Sequence, residues 1–483
     1  MKQKKSKTED ADPLSQPPAS GKNNNLSLYV YNMPEDEWLF IDSVAHRPKR
    51  TELITDCEDV ADCYFLGSGK ESDLIYVSPK PISPAFQEYA QKLMGYKNTE
   101  VIVPQTKTHL ICDDLLQDTV AFEKILNRAK NYQHVILTSY AASPQMYSLK
   151  AMLQKSGINV ITPELPDPAN AWTVNFFGSK SGIRQLAQQS VAKEPDFIMP
   201  EGLICFGKYD AAKIAADRYI REKGVVIKTN KGSGGSGVLI FREGDLPFDY
   251  SECERAIITK MNSDNYWDYF PIVVEDLISA NLNSAGIFPN VEFKIHRNGR
   301  IEFLYYCETK VTPKGVYYGL DIGDNVLNDR LTARIIDTGY YIAEKYSAAG
   351  YRGHFDVDMM VARNGQVYVN ESNTRNTGGT DIYRIVRKLL GKDFADSVHV
   401  LTRGKSNLPK NIQLTFPQIL KKCAHLLYNH KKHEGLIINS ENSLTEGKIV
   451  YTTIAKLKSK AIKYEADLLK ILEDLPLSAG NRI

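Results

Sequence analysis

Residues 225–241 read VVIKTNKGSGGSGVLIF, and the order of structure around these glycines decides the fold. Gly232, Gly234 and Gly237 satisfy the spacing GxGxxG, which in dinucleotide-binding proteins stands between a strand and a helix. Here a β-prone run precedes the glycines and another, Val238-Leu239-Ile240-Phe241, follows them, so strand leads back to strand. A glycine flap between two strands can fold over phosphates, offering backbone N–H groups where no Cβ blocks approach. Lys231, Gly232, Ser233, Gly234, Gly235, Ser236 and Gly237 form the candidate flap, and Lys228 would add a point charge at the end of its first strand. A flexible hairpin tip is the plain alternative. Protein kinases also place a glycine loop between strands, but their HRD and DFG signals are missing; Asp321-Ile322-Gly323 is the nearest echo. Gly67-Ser68-Gly69-Lys70 lacks the first P-loop glycine and the hydroxyl residue after Lys, and is set aside.

The second informative stretch, residues 351–380, reads YRGHFDVDMMVARNGQVYVNESNTRNTGGT. Asn364-Gly365 between two alternating apolar runs predicts a hairpin with a two-residue turn. That register sets Asp358 opposite Glu371 and Asp356 opposite Asn373, with all four side chains on one face. Directly opposed residues have Cβ atoms about 4.5–5.5 Å apart, and like charges there destabilise the pair. A divalent cation would resolve the conflict, and neutralising Glu371 is expected to relieve it. Mg²⁺ prefers a few carboxylates plus phosphate oxygens to a complete protein cage. The alternative is a solvated acidic sheet edge.

Together, the flap with Lys228, the stretch Val273-Val274-Glu275-Asp276-Leu277-Ile278 and the pair Asp358…Glu371-Ser372-Asn373-Thr374-Arg375 resemble the ATP-grasp superfamily. The spacing of the acids and the Glu-x-Asn-x-Arg order are similar to those of biotin-carboxylase and D-alanine ligase relatives, over roughly residues 179–398. The resemblance implies ATP as nucleotide, contacted by Lys180 and Lys228, with adenine held by Glu275, Asp276, Leu277 and Ile278. It implies Mg²⁺, with Mn²⁺ able to replace it, on Asp358, Glu371 and Asn373, and Arg375 steadying the transferring phosphoryl group. Two departures stand out. Ser279-Ala280-Asn281-Leu282-Asn283 occupies the place where a ribose-binding acid is often found, and Asp356 stands where D-alanine ligases carry Arg, so Arg375 or Arg352 is expected to supply that charge.

Farther on, Glu434-Gly435-Leu436-Ile437-Ile438-Asn439-Ser440 and Glu446-Gly447-Lys448-Ile449-Val450, then a Lys/Glu-rich helix, resemble the C-terminal domain of pheganomycin-type peptide ligases. That family also carries a Rossmann-like domain ahead of its ATP-grasp unit. The resemblance implies an ADP-forming carboxylate–amine (peptide) ligase working through an acyl phosphate, with small-molecule or peptide carboxylate and amine substrates. Alternatives are an ATP-binding ATP-grasp protein without ligase activity, acting as a regulatory partner, and an ATP-grasp kinase. Residues 308–318, ETKVTPKGVYY, mix cations and aromatics, and Lys310 is the candidate catalytic group there for receiving the acceptor; a plain surface loop is the alternative. The second Asn-Gly pair, Asn298-Gly299, predicts a hairpin with Lys294, Phe303 and Tyr305 on one face.

The rest of the chain frames these motifs. With 483 residues, 42% hydrophobic and 24% charged, it is an ordinary globular composition of about three domains. The expected class is α/β, α+β in the ATP-grasp part. After a disordered tail at 1–25 come a Rossmann-like parallel sheet (26–178), an ATP-grasp domain of two α+β subdomains (179–398) and a small C-terminal α/β domain (399–483). Strands are expected at 27–31, 62–66, 74–77, 101–103, 135–138 and 158–162, and helices at 84–94, 119–131, 144–155, 180–190, 421–433 and 460–472. Net charge is +2, although residues 400–483 carry 14 basic against 7 acidic groups, read as a solvated face. His425, His430 and His433 sit among lysines that oppose a cation. No aromatic-interleaved basic patch suggests nucleic acid, no apolar run is long enough for a membrane, and no signal peptide is evident. Seven cysteines without a CxxC pair fit a reducing compartment, so the expected location is cytoplasmic; a homodimer is allowed.

Overall fold

A computed structural model describes residues 23–69, 73–233, 235–280, 286–312, 315–408 and 414–474. Residues 1–22 of the expected tail lie outside the described residues, and residues 23–25 belong to a strand. Asn23 and Asn25 already pair with Tyr132 and His134, because strand ladders satisfy backbone groups whatever the side chains.

The first unit is a five-stranded parallel sheet, the Rossmann-like layer expected. Its strands are β1 (Asn23–Val30), β2 (Asp73–Val77), β3 (Thr99–Ile102), β4 (Tyr132–Ser139) and β5 (Val160–Ile161), in the order β3-β2-β1-β4-β5. Between β1 and β2 run α1 (Met33–Ser43), α2 (Arg47–Glu58) and α3 (Ala61–Ser68). Residues 62–66, expected as a strand, are α3: a short run buried on all sides has no periodicity to separate helix from strand. Then come α4 (Pro84–Met94), α5 (Ile111–Gln117), α6 (Thr119–Ala129) and α7 (Pro144–Lys155). Ser83, Asp118 and Ser143 cap α4, α6 and α7 with side-chain oxygens.

After α8 (Trp172–Phe177) and α9 (Lys180–Ser190), a four-stranded antiparallel sheet holds β6 (Gly202–Cys205), β7 (Gly224–Ser233), β8 (Ser236–Arg242) and β9 (Ile272–Asp276), ordered β6-β9-β7-β8. The helices α10 (Lys208–Glu222) and α11 (Tyr250–Met261) cover one face of it. The third sheet has eight strands: β10 (Pro289–Ile295), β11 (Ile301–Val311), β12 (Tyr317–Ile322), β13 (Gly353–Val361), β14 (Val367–Asn373), β15 (His399–Asn407), β16 (Gly435–Ile438) and β17 (Lys448–Ala455). Its order, β14-β13-β10-β11-β12-β15-β17-β16, carries the strands after residue 399 directly onto those before it. Helices α12 (Asp329–Ala348) and α13 (Thr380–Leu390) pack beside this sheet, and a helix at Lys458–Glu473 closes the chain. The helix expected at 421–433 is instead Phe416–Lys422 followed by turns. The Asn429 side-chain oxygen accepts from the N–H groups of Lys431 and Lys432, an Asx turn that ends helical spacing.

Packing crosses the sequence boundaries. Phe40 and Ile41 of α1, Val44 just after it, and Leu53 and Ile54 of α2 belong to one core with Ala212, Ile257 and Trp267, although they sit in the Rossmann segment. The Phe40 ring lies 4.9 Å from that of Tyr266. Among the described residues no helix is long and apolar enough to cross a membrane, and all seven cysteines are free and buried. Phe40→Ala is expected to cost about 3–5 kcal/mol in urea denaturation. Hydrogen exchange should accelerate in β7 and β8 before it does in the parallel sheet.

Candidate functional site: a carboxylate hairpin under a glycine flap

The β13–β14 hairpin delivers the expected pairs, Asp358 opposite Glu371 and Asp356 opposite Asn373. It does so by a different route. Ala362 pairs with Gln366, so the loop has three residues, with Gly365 at φ +80°. That shifts the register by one, and a bulge at Asn370 shifts it back before the acids. The second hairpin has no such compensation on the side next to its turn. Lys294 faces Glu302 there, Phe293 faces Phe303, and Phe303 points into the α12 core while Tyr305 stays on the polar face with Glu292.

On that face of the large sheet, buried Asn290 donates to Asp356 (3.0 Å) and Asp358 (2.8 Å), and the Asn373 amide donates to the same two carboxylates (3.0 and 3.2 Å). Buried Glu292 accepts from the hydroxyls of Tyr305, Thr377 and Thr380 and meets His354 Nδ1 at 3.1 Å. Burial, then Asp358 and Glu292, push Asp356 well above the usual carboxylate range. The Asn290 and Asn373 amides oppose that shift, and Arg352 does not reach the acid: that guanidinium bonds the carbonyls of Arg297, Ser347 and Tyr351. Burial and the facing Glu371 push Asp358 up to about 6. Glu371 goes the other way, to about 2, because Lys180, Lys228 and Arg375 favour its charge.

The cations arrive from separate elements. Lys180 opens α9 and reaches Glu371 at 3.2 Å; the Asn230 side chain of β7 holds the N–H of Ser181 beside it. Lys228 is buried, bonded to Glu275 and to the bulged Asn370 (2.8 Å). Lys231 of the flap is half-buried near Asp36, Arg375 and Lys180, and its partial desolvation lowers its pKa. Arg375 donates to Asn373 (2.7 Å) and ion-pairs with Asp36 (3.2 Å) and Glu37 (3.8 Å) of α1. Gly237 has φ +86°, and a Cβ there would meet Thr229 Oγ1 at 2.4 Å and Phe40 at 3.3 Å, so the flap lies against α1. Gly235 approaches Val316 in the β11–β12 loop, which closes the cleft from the other side. Ser236 opens β8, Gly232 and Ser233 end β7, and Gly234 lies outside the described residues.

Three expected residues stand differently. The Glu275 carboxylate is bonded by Arg184 (2.5 Å) and Lys228, so it fixes Lys228 instead of facing a base; Asp276 is likewise bonded by Arg218. Past them, Leu277 covers Gly224, and Ile278 leads to the Ser279–Arg363 backbone bond that ties this hinge to the hairpin. Residues 281–283 lie outside the described residues. Lys310 is not brought to the acids. Its strand pairs Cys307 with Asn290 on the acid face, so Glu308 and Lys310 point to the opposite face, where Lys310 meets Glu308 (2.7 Å) and Asp321 (3.3 Å). The residues missed from sequence are Asp36, Glu37, Arg184, Asn290, Glu292 and Asn370. Pro34 followed by acids announces a helix start at α1, but nothing local tells where that helix lands.

The donor set suits a hard cation that brings ligands of its own. Among the described residues no three His, Cys, Asp or Glu form a cage, while two carboxylates face each other across one hairpin. That fits Mg²⁺ or Mn²⁺ completed by phosphate oxygens.

The split between the two acids has a sign. Asp358 stabilises the fold fully below its unfolded value near 3.8, and that contribution is lost as pH rises through about 6. Without metal, Asp358→Asn is expected to be more stable than wild type by about 1–3 kcal/mol near pH 8, with the gap closing near pH 4. Glu371 has the opposite sign, its stabilisation being lost only as pH falls toward about 2. Glu371→Gln is therefore expected to lower stability at neutral pH, the reverse of the relief expected from the sequence. Urea denaturation at both pH values checks both.

No protein-family profile and no curated protein matches the chain. Solved structures do. An ADP complex of N5-carboxyaminoimidazole ribonucleotide synthetase aligns over 94% of this chain and 97% of its own, at 11% identity and a TM-score of 0.54. Biotin carboxylase from Campylobacter jejuni, as a β-γ-ATP complex, covers 92% and 91% at 12% identity, also 0.54. N5-carboxyaminoimidazole synthase from Aspergillus clavatus, with ADP and its aminoimidazole ribonucleotide, covers 93% and 99% at 10% identity and 0.51. The three sheets described above thus take the mixed α/β fold of these structures.

Proposed function

We propose that this chain is an ATP-dependent carboxylate–amine ligase, forming ADP and phosphate through an acyl phosphate. One observation carries the reading: Lys180, Lys231 and Arg375 converge with Glu371 and Asp358 beneath a glycine flap. Three cations and two metal-competent acids under a cover suit a polyphosphate whose terminal group moves.

Lys180, Lys228 and Lys231 would hold the phosphates, with Glu275 and Asn370 keeping Lys228 in place. The backbone of Asp276, Leu277 and Ile278 would receive adenine. Asp358 and Glu371, joined by Asn373 once its amide turns from the aspartates, would hold Mg²⁺, which supplies charge neutralisation at the transferring phosphoryl group. Arg375 would take the substrate carboxylate from Asp36 and Glu37, and then steady the acyl phosphate while the amine attacks. The closed flap keeps water from that intermediate. The resemblance of the C-terminal segment supports amino-acid or peptide substrates.

Incubating the protein with MgATP, candidate amino acids or dipeptides, and hydroxylamine tests the chemistry. An acyl phosphate is trapped as a hydroxamate, with ADP formed in step. AMP as the spent nucleotide would overturn the mechanism, and ADP with a stable phosphorylated product would mark a kinase. Lys180→Ala is expected to weaken MgATP binding by about 1.5–3 kcal/mol, read by calorimetric titration.

A further inference from the structure

Among the described residues, β6 is the outer strand of its sheet and pairs with β9 alone. The N–H of Asp276 donates to the Glu201 carbonyl. By alternation, Leu203 and Cys205 also turn their backbone groups toward β9, while those of Gly202 and Ile204 face the open edge, with Phe206 just past the end of the strand. Soluble proteins blunt such edges with Lys, Pro or a bulge. The run GLICF has none of these. It is apolar instead: Leu203 is 50% exposed, Ile204 39% and Phe206 94%, with Tyr209 beside them at 62%. Leu203, Ile204 and Phe206 line a groove of about 390 Å³ with Asp210, Lys213 and Ile214 of α10. Among the described residues, neither Asp210 nor Lys213 has an ion-pair partner.

We propose that β6 pairs with β6 of a second copy of this chain, antiparallel about a two-fold axis, joining two four-stranded sheets into one of eight. Opposed residues share a face, so a two-fold pairing must match positions of equal parity. The register centred on Ile204 sets it opposite Ile204 of the second copy and brings Gly202 level with the second copy's Phe206, one residue past its strand. Phe206 then lies across a residue that has no side chain, a pairing that shields glycine in a strand. Gly202 has to be bare, since a Cβ would meet the Val274 carbonyl oxygen at 2.6 Å.

The charges select a second copy over a foreign strand. Gly207 is still extended as the N-cap of α10, which then runs back over the sheet. At about 3.3 Å per strand residue and 1.5 Å per helical residue, the level of Ile204 falls about four or five residues into α10, near Ala212. Asp210 and Lys213 lie on either side of that level. The axis that pairs Ile204 with its counterpart therefore sets Asp210 of each copy beside Lys213 of the other.

Sedimentation velocity of the full chain at about 100 μM, well above the dissociation constant of a micromolar interface, is expected to show a dimer. Phe206→Asp should give monomers with wild-type circular dichroism and melting temperature. Asp210→Lys or Lys213→Asp alone should weaken association about tenfold, and the two together should restore it. A monomeric wild type, or a dimer indifferent to Phe206→Asp and to the single reversals, overturns the proposal.

Discussion

Two carboxylates held opposite each other on neighbouring strands are the constraint around which this molecule is arranged. Asp358 and Glu371 cannot both be charged at low cost so close together in a half-buried cleft. The chain divides them. Lys180, Lys228 and Arg375 keep Glu371 ionised, while burial leaves Asp358 with its proton to about pH 6. Each compensating cation comes from a different element: the start of α9, the strand behind the flap and the loop after β14. The glycine flap and the hinge follow from the same need, since both place positive charge over one spot on the large sheet.

Much of this was legible because strand geometry is local. The Asn364-Gly365 turn and the alternation on both sides sufficed to pair the acids, although a three-residue loop and the Asn370 bulge cancelled to give that answer. At Asn298-Gly299 the same rule paired Lys294 with the wrong residue, for want of a second irregularity next to the turn. Lys310 shows the limit in another way. Its charge and aromatic neighbours suggested a binding loop, but one step of strand parity put it behind the sheet. Asp36 and Glu37 were beyond reach for a third reason. They meet a residue more than three hundred positions away, through a tertiary contact that leaves no periodic mark in the sequence.

The sequence divisions at 178 and 398 follow composition and motif, whereas apolar packing follows neither. Helices α1 and α2 leave the parallel sheet to join the core under the flap. Movement of the four-stranded unit therefore has to carry them along or break that contact. The acids at the start of α1 travel with the same helix, so the hold on Arg375 and the position of the flap are coupled through one rigid element.

The large sheet and its neighbours also bear on how the chain is made. One apolar core joins Tyr29, Tyr31 and Phe65 near the beginning to Leu436, Ile454 and Leu468 near the end. A ribosome releases the first of these long before the last. Helices α3 and α4 cover part of that core early, but the part met by Leu436, Ile454 and Leu468 stays open until the final strands emerge, and long-range pairing of this kind is slow. The nascent chain thus carries an open apolar surface through most of its synthesis. Premature termination anywhere before β17 would leave that surface permanently bare, a substrate for chaperones and proteases.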